Sequence, residues 1–202
     1  MSDNKNIDMQ QVWQQDKDHY IHPWTDFSTF KETGSMILAD SDNVHVKDGE
    51  GREYLDGIGG LWCVNIGYAR KEMAEAIAEG LQQSGITTLP LALRKCDRSD
   101  IMVDVLDAKA IIVGSPTLNN NLFPTLADFL TYMKGLRPKN RIGAAFGSYG
   151  WSGEAVKIIE KELTAMKMDL PVPGLKVQYV PDKDALKECF EFGKKIAEAI
   201  KA

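Results

Sequence analysis

Two stretches combine residue types that can grip a flat ring with polar edges: Gly114-Ser115-Pro116-Thr117-Leu118-Asn119-Asn120 and Gly147-Ser148-Tyr149-Gly150-Trp151-Ser152-Gly153. Their small residues let the backbone come close to a ligand, and Ser115, Thr117, Asn119, Asn120, Ser148 and Ser152 offer hydrogen bonds. Tyr149 and Trp151 offer broad apolar faces. A planar heteroaromatic group is what such a set can hold.

The elements needed to position these stretches are legible beside them. Ala110 to Val113 is a short continuous apolar run, and Ile142 to Phe146 is another. Each is short for a helix and enters a loop that opens a helix: one at Pro124, over Thr125 to Met133 and ended by Gly135, the other over Glu154 to Met166. Strand, loop and helix repeated in this order mean parallel strands covered on both faces, because a crossover helix must return the chain. The loops then lie together at the carboxyl edge of one sheet, where open α/β sheets bind ligands. Glu154 begins a helix, where the dipole favours a carboxylate, and that role outweighs an acid–base one.

The motifs "VGSPTLNN" and "AAFGSYGWSGEA", with "RKCDRSDIMVDVLDAKA" before and "FLTYMKGLRPKNRIG" between, resemble the flavodoxin-like domain of flavodiiron proteins from about Met73 to the C-terminus. The resemblance implies a doubly wound α/β domain whose five parallel strands run in the order 2-1-3-4-5. It also implies FMN, with the isoalloxazine between the Ser115-Pro116-Thr117-Leu118-Asn119-Asn120 loop and the Ser148-to-Gly153 loop. In this chain Thr87 to Leu93 would be strand 2, with Pro90 tolerated at an edge, and Ser99 would cap a helix over Asp100 to Leu106. Lys176 to Val180 would be the last strand, after a Pro171-Val172-Pro173-Gly174 loop. Asp184 to Ala199 would close the domain as a helix with a Leu186, Phe190, Gly193, Ile196 and Ile200 core stripe.

Strand 1 and its phosphate loop are replaced. Leu61 to Ile66 is apolar enough to substitute for the strand, which puts Gly67, Tyr68 and Arg70 where the family carries a Ser/Thr-rich turn around the FMN phosphate. Gly67 supplies backbone freedom and Arg70 with Lys71 supplies charge, yet Tyr68 is the one hydroxyl left. Each lost charge-assisted hydrogen bond costs about 1.5–3 kcal/mol, so losing two or three weakens FMN by several powers of ten.

The first third reads differently. Gln10 to Tyr20 is a polar helix stopped by Pro23. Met36 to Ala39, Val44 to Val46 and Glu53 to Leu55 form an antiparallel meander separated by Ser41-Asp42-Asn43 and Asp48-Gly49-Glu50-Gly51. "HYIHPWTDF" and "VKDGEGREYLDGIGGLWCVNIGYARKEMAEAIAE" resemble the N-terminal segment of class III, pyridoxal-phosphate-dependent aminotransferases. The two resemblances overlap on the helix "EMAEAIAEGL", with apolar Met73, Ala74, Ile77, Ala78 and Leu81, so the chain reads as a chimera joined between Lys71 and Gly80. An aminotransferase-like segment, 1–57, then precedes a flavodoxin-like domain, 58–202.

The chimera limits the chemistry. The Schiff-base lysine, pyridine-nitrogen partner and phosphate cup that the aminotransferase family places far downstream do not follow here, so neither pyridoxal phosphate nor transamination is expected. With three histidines in all, His19, His22 and His45, the diiron ligand set is not expected, nor is oxygen or nitric oxide reduction. Asp18, His19 and His22 could together touch one metal, but hydrogen bonding around Pro23 explains them better. A net charge of -5 argues against a nucleic-acid partner. No apolar run is long enough to span a membrane and the N-terminus lacks a signal core, so a cytoplasmic electron carrier working with a redox partner protein is the expectation. Cys63, Cys96 and Cys189 are odd in number and far apart, which suits neither a disulfide framework nor a zinc site.

Overall fold

The computed structural model describes residues 8–62, 64 and 70–202, and the chain divides into two compact units, Met1–Ala69 and Arg70–Ala202. In the first unit, α1 (Met9–His19) is capped by Asp8, whose carboxylate accepts from the amides of Gln10 and Gln11. A second helix not expected from the sequence, α2 (Phe27–Thr33), is capped in the same way by Asp26. Asp16 joins the segments around the Pro23 turn by accepting hydrogen bonds from His22 Nε2, at 2.8 Å, and from the Ser35 hydroxyl.

The expected meander is present as β1 (Leu38–Asp42), β2 (His45–Asp48) and β3 (Glu53–Leu55), antiparallel in that order. Its first turn is tighter than expected: Asp42 pairs with His45, so Ser41 and Asp42 join the strand and Val44 falls in the turn. Asn43 makes this possible at φ 51°, a left-handed conformation that asparagine tolerates. The second turn is latched by Asp48, which is 5% exposed and accepts from the Glu50 and Arg52 amides, from Arg52 Nε at 2.7 Å and from the Tyr54 hydroxyl at 2.9 Å. After it comes the short α3 (Gly59–Trp62).

The second unit contains α4 (Glu72–Gln83), α5 (Arg98–Asp107), β4 (Ala110–Gly114), α6 (Pro124–Leu136), β5 (Ile142–Tyr149), α7 (Glu154–Ala165), β6 (Leu175–Gln178) and α8 (Lys183–Lys201). β4, β5 and β6 pair in parallel in that order, joined by α6 and α7 as crossovers. Alternating side chains feed two cores. Ile111, Val113 and Ala145 pack toward α5, α6 and α7, whereas Ala110, Ile112 and Ala144 pack toward α4 and α8. Helices on both faces of a parallel sheet make this the doubly wound, flavodoxin-like α/β fold expected from the sequence. Among the described residues no helix is long and apolar enough to cross a membrane.

Several boundaries differ from the sequence-based expectations. The three described strands are the 3-4-5 side of the expected order. Thr87 to Leu93 makes no strand, and Leu93–Lys95 is a 3-10 turn; Pro90 removes a ladder donor there, and Leu89 is 62% exposed. Of the substitute first strand, Cys63, Asn65 and Ile66 lie outside the described residues, while Leu61 and Trp62 belong to α3. The α5 cap is Asp97, not Ser99: the Asp97 carboxylate accepts from the Ser99 amide at 2.7 Å and adds a negative charge where the helix dipole favours one. Gly135 lies inside α6, and the helix ends at Arg137, which turns left-handed at φ 54° ahead of Pro138. On α8 the buried stripe is Cys189, Phe192, Gly193, Ile196, Ala197 and Ile200, while Leu186 and Phe190 are half-buried at its margin. That rotation follows from close contact with α4, where Gly80 and Gly193 let the two helix backbones approach.

Candidate functional site

The two loop stretches meet at the carboxyl edge of the sheet. Beyond Gly114 the chain stays beside β5, with the Ser115 amide donating to the Phe146 carbonyl at 3.2 Å and the Thr117 amide to the Ser148 carbonyl at 2.9 Å. Leu118 and Asn121 then exchange both backbone hydrogen bonds across Asn119 and Asn120, at φ 49° and 56°. Two successive left-handed residues closed in this way make a tight type I′ turn, the arrangement asparagine best supports.

The polar residues singled out from the sequence divide into supports and exposed groups. Ser115 is a support: it is 3% exposed, donates to the Pro116 carbonyl at 2.8 Å and accepts from the Phe123 amide at 3.1 Å, so its hydroxyl closes the loop. Thr117 is another, its hydroxyl accepting from the Ala155 amide at 3.3 Å in the first turn of α7. Asn119 and Asn120 stand exposed, and Ser152 Oγ lies 3.5 Å from Asn120 Oδ1, linking the two loops. Pro116 is exposed and Leu118 half-buried.

Ser148 and Tyr149 lie on the strand and not in the loop. β5 continues to Tyr149 because β6 pairs with it over Phe146 to Tyr149 and supplies a ladder the sequence of β5 alone does not reveal. Ser148 is buried accordingly. Gly147 is required at this level, since a Cβ there would stand 2.2 Å from the Ser115 carbonyl oxygen. The loop proper is Gly150 to Gly153. Trp151 is 91% exposed, and Gly153 takes φ 73° as the N-cap of α7. The next residue, Glu154, has its Oε2 buried without a hydrogen-bond partner among the described residues.

The end of β6 contributes groups that the sequence reading had not assigned to the site. Gln178 Nε2 donates to the Gly150 carbonyl at 3.3 Å, the Tyr179 amide donates to the Tyr149 carbonyl at 2.8 Å, and Lys176 Nζ lies 5.8 Å from the centre of the Tyr149 ring. A signal was available: a last parallel strand beside β5 must end at the same edge as the loops.

Of the stretch expected to meet a phosphate, Gly67 and Tyr68 lie outside the described residues. Arg70 is half-buried, with Nε 2.9 Å from Glu72 Oε1. His22 is bonded to Asp16 and Asp18 accepts from Gln14 Nε2 at 2.6 Å. No cluster of three or more His, Cys, Asp or Glu side chains that could hold a metal occurs among the described residues.

Residues 67–193 match the sequence profile of the flavodoxin family. The chain belongs to the flavodoxin family. It is 45% identical over 131 residues to a nitric oxide reductase of Moorella thermoacetica, a match covering 64% of this chain and 33% of that protein. It is 42% identical over 135 residues to a rubredoxin-oxygen oxidoreductase of Megalodesulfovibrio gigas, covering 67% of this chain and 34% of that one. The chain thus spans about a third of the length of these curated relatives. Among solved structures, rubredoxin oxygen:oxidoreductase from Desulfovibrio gigas superposes with a TM-score of 0.63 at 43% identity, over 65% of this chain and 33% of the other. A flavodoxin from the domain Archaea superposes with a TM-score of 0.60 at 33% identity, over 65% of this chain and 90% of that flavodoxin. The similarity therefore joins this flavodoxin domain both to flavodiiron-type oxidoreductases and to a free-standing flavodoxin.

Proposed function

We propose that the flavodoxin domain, taken as 58–202, binds FMN and carries electrons between a donor and a redox partner protein in the cytoplasm. The observation that carries this reading is the joined pair of loops at the sheet edge. Trp151 presents an almost bare indole face, while Ser115, Thr117 and the ends of β5 and β6 hold the loops beneath it in fixed positions. The residues present fit the ring end of the cofactor: an exposed aromatic for stacking, exposed Asn119 and Asn120 amides for its polar edges, and Gly150, whose lack of a side chain leaves its backbone open to a ligand. Bound FMN would supply a centre that accepts and releases electrons. This chain's residues bind and orient it and limit its contact with water. The residues assigned to the ring are Pro116 to Asn120 and Ser148 to Gly153, with Ser115 as their support.

The phosphate end is assigned to Gly67, Tyr68 and Arg70, in place of the Ser/Thr turn of the family. Weak binding is the consequence we infer. The ion pair of Arg70 with Glu72 favours a second reading, a scaffold with no retained cofactor, because its charge is already matched. The residues before the flavodoxin domain are read, on their motifs, as an aminotransferase-type segment with no transaminase chemistry.

A titration of the purified protein with FMN, followed by quenching of flavin fluorescence, with riboflavin run beside it, tests the reading. Saturable quenching by both flavins, diminished in Trp151→Ala, is expected; FMN binding clearly tighter than riboflavin marks a working phosphate site. No saturable quenching by either flavin refutes electron carriage and leaves the scaffold.

A further inference from the structure

We infer that Lys176 tunes the electron affinity of the flavin site, an inference resting on the proposed FMN reading. Lys176 sits on β6 opposite Gly147 of β5, next to Val177, which is buried in the core shared with α4 and α8. Its stem runs past Gly153, where a Cβ would stand 3.3 Å from Lys176 Cδ and 3.0 Å from Tyr149 Cγ and Cδ1. Its ammonium group reaches 5.8 Å from the centre of the Tyr149 ring. Lysine stem, glycine backbone and tyrosine ring thus pack together at the foot of the loop that carries Trp151.

Lys176 is an exposed lysine of β6, and two features bear on the field it exerts at the loop. Among the described residues, the other cation–ring contacts of the domain lie on helices: Arg98 with Tyr132, and Lys194 with Phe190. Lys176 has no carboxylate within salt-bridge distance among the described residues, whereas Lys134, Arg98, Arg70 and Lys194 each have one. Its field is therefore not offset by a bonded anion, and part of it falls on the loop side of the Tyr149 ring. Gln178 and Tyr179, bonded to the Gly150 and Tyr149 carbonyls, fix β6 against that loop and so fix the lysine's backbone.

The consequence is electrostatic. Two-electron reduction of a flavin, with electrons supplied by dithionite and uptake of one proton from solvent, leaves the ring with one more negative charge than before. A cation on the tyrosine side favours that charged product over the neutral oxidised ring. At a separation on the order of 10 Å and an effective dielectric of about 40, a unit charge changes such an equilibrium about fourfold. That factor is about 18 mV in a two-electron couple.

The test is the ratio of dissociation constants for reduced and oxidised FMN, measured in wild type, Lys176→Gln and Lys176→Arg. Lys176→Gln is expected to bind oxidised FMN within twofold of wild type and reduced FMN about fourfold more weakly, the difference shrinking as salt is raised. Lys176→Arg is expected to keep the wild-type ratio, because it keeps the charge. An unchanged ratio in Lys176→Gln overturns the inference while leaving FMN binding intact. Equal weakening of both redox forms also overturns it, since that is the mark of a packing role. Failure of wild type to bind either form overturns the FMN reading itself, and this inference with it.

Discussion

The close crossing of α4 and α8 provides the sharpest test of how this domain is held together. In Gly193→Ala, the new Cβ would stand 2.2 Å from the Ile77 carbonyl oxygen, and the reciprocal site, Gly80, would place a Cβ 2.1 Å from the Phe190 carbonyl oxygen. Both obstacles are backbone atoms inside helices, which no rotamer change can move. Ordinary contact begins near 3.4 Å, so the helices must part by roughly 1 Å. A gap of that size forfeits a quarter to a half of each dispersion contact across the seam, which includes Met73, Ile77, Leu81, Cys189, Phe192 and Ile196. Because the obstacles are backbone atoms, the cost lies at the upper end of the usual range for overpacking, about 3 kcal/mol, against which alanine's helix propensity returns about 1 kcal/mol. A net loss of about 2 kcal/mol is expected, or a fall of about 1 M in the urea midpoint for a typical slope near 2 kcal/mol/M. The comparison is Gly135→Ala, also inside a helix but with open space around its Cβ; it should gain about 0.5–1 kcal/mol. Urea unfolding followed by far-ultraviolet circular dichroism measures both. A Gly193→Ala protein as stable as wild type, or stabilised like Gly135→Ala, would refute the argument from close backbone approach.

Two further outcomes follow from charge and burial. Burial pushes the Asp48 carboxyl up, but the Arg52 guanidinium and amide, the Tyr54 hydroxyl and the Glu50 amide outweigh it and hold the group at about 2, below its usual 3.8. A depressed carboxylate stabilises the folded form above its unfolded value and loses that contribution as pH falls. The β1–β3 meander should therefore weaken between about pH 4 and pH 2, with Asp48→Asn removing that dependence, as followed by amide exchange. Burial, and secondarily the Glu188 charge, push the Cys189 thiol up to about 11, whereas Cys96 is half-buried. A thiol reagent at neutral pH should label Cys96 in the native protein and reach Cys189 only on unfolding, read by mass spectrometry of tryptic peptides.

Much of the fold was legible because it depends on local chemistry. The apolar runs at Ala110 to Val113 and Ile142 to Phe146, each followed by small polar residues and a helix start, specify parallel strands with crossovers before any contact is known. The meander was legible from its turn residues, Asn43 and the Asp48–Gly51 stretch. The caps Asp26 and Asp97 also carry a local signal, an aspartate directly ahead of a helix, and at α5 it prevails over the serine two residues on. The two loop stretches at the sheet edge were singled out by residue type alone, but the division of their side chains into supports and exposed groups was not legible. Nothing in the residue types distinguishes Ser115, whose hydroxyl is spent on Pro116 and Phe123, from Asn119, whose side chain stands exposed.

What the sequence determined by itself is the alternation of strand and helix, the turns that need left-handed residues, and the cluster of small and aromatic residues at one sheet edge. These depend on backbone sterics and on periodicity, which act over a few residues. The tertiary structure alone decided where β5 ends, because Ser148 and Tyr149 become strand only when β6 pairs with them from 29 residues away in register, as in Ser148 with Val177 and Tyr149 with Gln178. It alone placed Lys176, Gln178 and Tyr179 beneath the Trp151 loop, and set the buried face of α8 by bringing Gly193 against Ile77. Such contacts join segments distant in the chain, and their energies depend on distances that no local pattern encodes.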